Sequence, residues 1–282
     1  RVPMSGLTVT LLALGLLAGT TATQISYDGW NLVFEDEFEG EQLDTRRWTV
    51  ADKYRHCCPL EPQLYVTDEV YLENGNLVLR TRKRTVPDKQ GNPVNYTSGW
   101  VDSKEKMFFK FGRWVIRAKL PDTHMTGVWP AHWLMPNPST SDPPDICWPV
   151  GGEIDIMEQI GLPIVTTVWG SFRWSRKCGK INWSWLPGGP YPSVFGPQID
   201  FSADYHEFGV DWSPTELQYH VDGHVFHVEK IDKVPIPQNA FYTILNTAIY
   251  PSVHKLGQWF GADEHLPVYH YIDWVRVYQQ QS

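Results

Sequence analysis

Cysteine is scarce in this 282-residue chain. There are four, and none stands in a Cys-x-x-Cys pair or beside a suitably spaced histidine, which argues against a metal site built on thiolates. Positive charge is in the minority: 24 Lys and Arg face 32 Asp and Glu, for a formal net charge of −8. That balance disfavours nucleic acid and anionic membrane surfaces as partners and suits a neutral ligand. Long apolar runs are missing except for Leu7–Ala18, whose twelve residues are too few to span a bilayer. Long helical periodicity is scarce as well. No internal repeat or low-complexity tract appears, and no Pro- and Gly-rich linker divides the chain after residue 23.

The short apolar run and the small residues Gly19-Thr-Thr-Ala-Thr23 after it read as a secretory signal peptide. Residues 1–23 are therefore expected to be removed and 24–282 to form one secreted domain, free of the membrane after cleavage; an uncleaved anchor is the competing reading. Export makes Cys57, Cys58, Cys147 and Cys178 candidates for disulfides. Of the three pairings, the adjacent Cys57–Cys58 ring is the strained one, so both are expected to join outward to Cys147 and Cys178. Asn95-Tyr-Thr and Asn182-Trp-Ser are glycosylation sequons.

What the chain has in abundance is aromatic residues, 14 Trp, 13 Tyr and 12 Phe, on a globular background of 42% hydrophobic and 20% charged residues. Most of these rings must be core; a surplus on the surface would favour carbohydrate. Short alternating runs dominate: Leu64–Leu72, Asn76–Thr81, Trp114–Leu120, Ile164–Phe172, Phe208–Trp212, Leu217–Val221, Val225–Val228, Phe241–Leu245 and Tyr269–Tyr278. Asn74-Gly75 and Asp222-Gly223 supply strong hairpin turns between them. Many short antiparallel strands imply an all-β sandwich or barrel. Pro136–Pro149 and Gly179–Pro197 read as long loops, the second carrying Trp183, Trp185 and Tyr191.

The stretch Glu153-Ile-Asp-Ile-Met-Glu158 alternates acidic and apolar residues at period two, as a half-buried strand does. Glu153 and Asp155 then share a face, and the odd spacing to Glu158 would put it on the other. One bulge at Ile156–Met157 restores the alternation and returns Glu158 beside the other two. Clustered carboxylates repel, so at least one stays protonated near neutral pH. A protonated and an ionised carboxyl roughly 5–5.5 Å apart are what a retaining glycosidase uses. A solvent-facing acidic stripe is the plain alternative. Trp129, Trp133 and Trp148, all close upstream of Glu153, tilt the balance toward sugar, because flat rings stack on sugar faces.

These motifs, with Gly127-Val-Trp-Pro-Ala-His-Trp-Leu-Met135, Phe34-Glu-Asp-Glu-Phe38, Phe111-Gly-Arg-Trp-Val-Ile-Arg-Ala-Lys-Leu-Pro121 and Ile272-Asp-Trp-Val-Arg-Val-Tyr278, resemble glycoside hydrolase family sixteen across residues 31–278. The bulged Glu-x-Asp-x-x-Glu pattern is most similar to that of its laminarinase-type endo-β-1,3-glucanases. The resemblance implies a concanavalin A-like jelly-roll sandwich with a concave sheet forming an open cleft, acting on a polysaccharide, β-glucan; a monomer is the default for a cleft enzyme of this size. Glu153 would be the nucleophile, Glu158 the acid/base and Asp155 their hydrogen-bonding companion. Trp133 and Trp148 would stack on sugar rings, Trp129 belongs mostly to the core, and His132 points away from the cleft. No cofactor is implied for catalysis, but the family often holds a structural calcium through backbone carbonyls of its first segment and an Asp of its last strand. Gly40 and Asp273 match those places, and oxygen ligands suit that ion; an Asp that merely ends a strand edge is the alternative.

The chain also departs from the pattern. Gly170-Ser-Phe-Arg173 stands where the family carries Gly-Thr-x-His, and Asn246-Thr-Ala-Ile-Tyr250 where it carries Asn-x-Ala-Val-Gly-Gly. Arg173 would lower the acid's pKa or recognise a sulfated sugar. The leading expectation is a secreted endo-β-1,3-glucanase on laminarin-like or mixed-linkage glucans. A non-catalytic β-glucan-binding protein, a (sulfated) galactan hydrolase and a transglycosylase are the alternatives.

Overall fold

The computed structural model describes residues 26–56, 61–123, 127–159, 166–180, 188–191, 199–249 and 265–281. The expected signal segment, Cys57, Cys58, Asn182, Trp183, Trp185 and Tyr250 lie outside the described residues. In chain order the strands are β1 (Trp30–Asp36), β2 (Thr49–Val50), β3 (Gln63–Tyr65), β4 (Val70–Glu73), β5 (Asn76–Pro87), β6 (Pro93–Ser98), β7 (Trp100–Asp102), β8 (Phe108–Phe109) and β9 (Gly112–Lys119). They continue with β10 (Val128–Pro136), β11 (Glu153–Glu158), β12 (Val168–Arg173), β13 (Gly188–Tyr191), β14 (His206–Trp212), β15 (Glu216–Val221), β16 (His224–Lys230), β17 (Phe241–Ile249) and β18 (Val268–Gln280). One sheet runs β16-β15-β14-β9-β18-β5-β6-β3, with β1 on β18 and β4 on β5. The other runs β13-β12-β11-β10-β17-β7-β2, with β8 on β17. All pairings are antiparallel except β3 with β6. The all-β jelly-roll sandwich is thus what the sequence forms.

Each sheet gives one face to a common core, because alternation sends every second side chain inward. Leu77, Leu79, Trp114, Ile116, Ile272 and Val275 come from the larger sheet and meet Leu134, Ile154, Met157, Phe172 and Leu245 from the smaller. Asn74 and Gly75 adopt φ of 51° and 74°, and Asp222 and Gly223 adopt 49° and 77°, the mirror-image turn that matches strand twist. Gly170 lies tight against the facing sheet: a Cβ there would sit 2.6 Å from the Tyr219 ring.

The expected loop Gly179–Pro197 holds a strand, β13 at Gly188–Tyr191, paired with β12, and two segments depart from the expected runs. Leu64–Leu72 is interrupted by a 3-10 turn at Thr67–Glu69, which buries Glu69 against Arg80 and Arg82 at 2.6 and 2.8 Å. An ion pair placed inside the chain outweighs the alternation there. Asn76–Thr81 instead runs on to Pro87, pairing with β6.

His132 is a core residue, as expected. Its Nε2 lies 3.0 Å from Nε2 of His270 on the facing sheet, and the two rings stack. Burial pulls His270 down to about 3, and burial with the neighbouring His270 holds His132 well below the ordinary imidazole range. Both stay neutral in the fold, whereas the unfolded imidazoles protonate near 6.5. The unfolded chain therefore binds more protons below that value, and stability falls as pH drops from about 6.5 toward 3. Each kcal/mol lost lowers Tm by roughly 2–4 °C in a domain of this size. We expect a His132→Leu/His270→Leu double variant to have a visibly flatter Tm-against-pH curve over this range; an unchanged slope in calorimetry would remove the pair from the account.

Candidate active site

The acidic strand is bulged where expected. Glu153 and Asp155 pair with Arg173 and Ser171 of β12, the register then slips, and Glu158 pairs with Trp169. On the other side Asp155 lies across from Trp133 and Glu158 across from Ala131, with a second slip at the same place. Ile156 and Met157 both enter the core, so Glu158 emerges on the outer face beside Glu153 and Asp155. Gly152, at φ +86°, turns the chain into the strand just before Glu153.

On that face the three acids share one cation. Arg173 donates from Nε to Asp155 Oδ2 at 2.8 Å and from Nη2 to Glu158 Oε2 at 2.5 Å, while Glu153 Oε1 lies 3.5 Å from Nε. Ser171 Oγ donates to Asp155 at 2.5 Å. The remaining donors are indoles: Trp148 Nε1 reaches Glu153 Oε2 at 2.7 Å and Trp129 Nε1 reaches Glu158 Oε1 at 3.0 Å. Burial, then Asp155, raises both glutamates against the opposing pull of Arg173; Glu158 is pushed up to about 7 and Glu153 also well above the usual carboxylate value. Burying three acids with one guanidinium leaves the site unable to ionise fully at neutral pH, the condition for one of the acids to donate a proton.

The surroundings are aromatic. Trp133 packs with Tyr65, Trp100, Ala131 and Ile244, and its Nε1 donates to Asn246 Oδ1 at 2.7 Å. Trp148 and Trp169 are 38% and 42% exposed, open ring surface beside Glu153 and Glu158. Tyr54 and His56 extend the patch, with the His56 ring 5.1 Å from Trp100 and 5.4 Å from Trp133.

The structure therefore gathers Glu153, Asp155, Glu158, Trp133, Trp148 and Arg173 into one site. Trp129 is corrected: it is not mainly core but half-buried, with its indole on Glu158. Its parity with Trp133 was the available signal. Trp100, Trp169, Tyr54 and His56 were missed, since their place follows from strand order and register rather than spacing. The pairing of Cys57 and Cys58 with Cys147 and Cys178 is also corrected, because Cys147 and Cys178 bond to each other.

The calcium expected at Gly40 and Asp273 finds a poor fit. β1 does pair with β18, which brings the first segment toward Asp273. The Asp273 carboxylate, however, is engaged by the Arg117 guanidinium, a fixed cation where the metal's charge would stand. Among the described residues no cluster of three or more His, Cys, Asp or Glu could hold a metal ion.

The family model described as β-porphyranase A–D, GH16 domain, matches residues 30–280. Glucan endo-1,3-β-glucosidase A1 of Niallia circulans is 30% identical over 93% of this chain, which spans only 39% of that protein. The glucan endo-1,3-β-glucosidase of Cryptopygus antarcticus is 29% identical over 84% of the chain and 85% of its own length. Among solved structures, the laminarinase catalytic domain of Thermotoga maritima superposes with a TM-score of 0.73 at 31% identity, covering 90% of this chain and all of that one.

The Cys147–Cys178 bridge closes a 31-residue separation around the acidic strand and flanks Trp148, whose carbonyl accepts from Gly179 N at 2.8 Å. Cross-links over loops of this length contribute on the order of 3 kcal/mol. A Cys147→Ala/Cys178→Ala variant is expected to melt several degrees lower in calorimetry; an unchanged Tm would show the bridge to be idle.

Proposed function

This chain belongs to glycoside hydrolase family sixteen, and on that premise we propose that it is a retaining endo-β-1,3-glucanase acting on laminarin-like or mixed-linkage glucans. The observation that carries the reading is the return of Glu158, across the bulge, to the face of Glu153 and Asp155. Glu153 attacks the anomeric carbon while Glu158 gives its proton to the departing glycosidic oxygen; Glu158 then takes a proton from the water that releases the glycosyl-enzyme. Asp155, fixed by Ser171 and Arg173, hydrogen-bonds within this group and spaces its charges. Trp148 holds a sugar ring on the approach to the cleavage point, with Trp169 on the side of Glu158, while Trp133, expected to stack on sugar as well, is only 7% exposed and packs beneath the cleft with Trp100 and Tyr65. The names of the glucanase relatives and the neutral aromatic face support a neutral glucan. The disulfide supports work in an oxidising, extracellular compartment.

A sulfated galactan is the second reading, favoured by the porphyranase description of the matching family model. Arg173 does not recommend it, because its guanidinium is already engaged by carboxylates that would repel a sulfate. A glucan-binding protein without catalysis leaves the three retained acids unexplained.

Reducing ends should appear when laminarin is added, and far fewer with agarose or porphyran; the reverse order transfers the chain to the galactanases. Glu153→Gln and Glu158→Gln should each lower kcat by at least roughly 10²–10⁴ with the fold intact by circular dichroism. Near-normal hydrolysis in either variant would refute its role. Because the acid must carry its proton, the rate should decline as pH rises through about 7, the value to which Glu158 is raised; a rate still climbing at pH 9 contradicts that assignment.

A further inference from the structure

Arg173 sits directly across from Glu153 on β12, yet its short contacts go diagonally, to Asp155 at 2.8 Å and Glu158 at 2.5 Å. The contact to Glu153 is the long one, 3.5 Å. In this resting arrangement both oxygens of Glu158 accept hydrogen bonds, one from Arg173 and one from Trp129, so its charge is better supported than that of Glu153. Glu153 has the Trp148 indole and the distant edge of the guanidinium. That is the opposite of what bond cleavage needs, which is a proton on Glu158 and a charge on Glu153.

We propose that Arg173 is a positioning residue that decides which glutamate carries the single shared proton, clamping Glu158 as the anion in the resting site and releasing it by closing the gap to Glu153. The step conserves protons: as the guanidinium moves onto Glu153, the proton leaves Glu153 for Glu158, and the nucleophile becomes the ionised partner. After the glycosyl-enzyme forms, Glu158 has lost its proton to the leaving group and the guanidinium returns to it, which restores the base needed for water attack. The charged groups facing Glu158 are Asp155 from its own strand and Arg173 from β12, with Glu153 interacting from the start of the same strand. From β10 it meets the Trp129 indole, while His132 lies on the buried face against His270. A planar fork that spans several carboxylates does this; a lysine, with one point charge, does not.

The role of Arg173 rests on the proposed assignment of nucleophile and acid, but the titration arm of its test does not depend on knowing the substrate. Glutamate side-chain carboxyls in the full chain are titrated by carbon-13 NMR, with Glu153→Gln and Glu158→Gln spectra used for assignment. Loss of an adjacent cation should move the Glu158 titration upward by roughly one unit or more in Arg173→Met. Arg173→Lys keeps the charge without the fork: it should keep the Glu158 titration close to that of the unaltered chain and lose kcat at least tenfold with KM little changed. Guanidinium ion added to Arg173→Ala should recover part of the rate. A Glu158 titration unmoved in Arg173→Met, or moved downward, overturns the proposal; so does an Arg173→Lys variant with full kcat, which also decides the matter if the methionine variant fails to fold. Absence of laminarin hydrolysis by the unaltered chain would instead count against the glucanase reading and leave the titration result standing.

Discussion

Three carboxylates and one guanidinium share a small area of sheet, and the rest of the site is arranged around that imbalance. With Arg173 as the one cation in contact with them among the described residues, Glu153, Asp155 and Glu158 are not all ionised in a buried setting. The hydrogen bonds around them do not cancel the excess; they distribute it. Trp148 and Trp129 each cover one glutamate with an indole N–H and a flat hydrophobic ring at once. Their N–H groups pull the carboxyl pKa values down, against the burial and the Asp155 charge that raise them. Burial cannot be separated from reactivity in such a site, since the cost of burying charge is what keeps a proton available at neutral pH.

The bulge makes this possible without cost to the core. Ile156 and Met157 both turn inward, so the strand contributes an additional apolar side chain to the sandwich while returning Glu158 to the outer face. The neighbouring strands supply the rest at fixed positions: β12 the cation, β10 two tryptophans, β17 the asparagine that holds Trp133. Placing these groups on paired strands fixes their backbone positions more firmly than loops would.

Much of this was legible in the chain because the relevant signals are local. The alternation of acids with Ile154, Ile156 and Met157 gave both the strand and the need for a bulge, and the Asn74-Gly75 and Asp222-Gly223 turns were plain from their dipeptides. The signals that failed are non-local. Trp100 and Trp169 reach the site through strand neighbours that no spacing reveals, and Trp129 was ambiguous because one parity serves both a cleft and a half-buried ring. Sequence order likewise did not disclose that Cys147 would choose Cys178, or that Arg117 would already hold Asp273. Arg173 was visible as an oddity, but its engagement by the carboxylates depends on cross-strand register.

The central claim is that Glu153 forms the covalent bond while the other two acids manage protons and charge. Trapping tests it most directly: the chain is incubated with a 2-deoxy-2-fluoro β-1,3-glucosyl donor bearing a good leaving group, and the labelled peptide is sequenced by mass spectrometry. One fluoroglycosyl group should be found, esterified to Glu153. A label on Asp155 or Glu158, or turnover with inverted product and no adduct, would contradict the account.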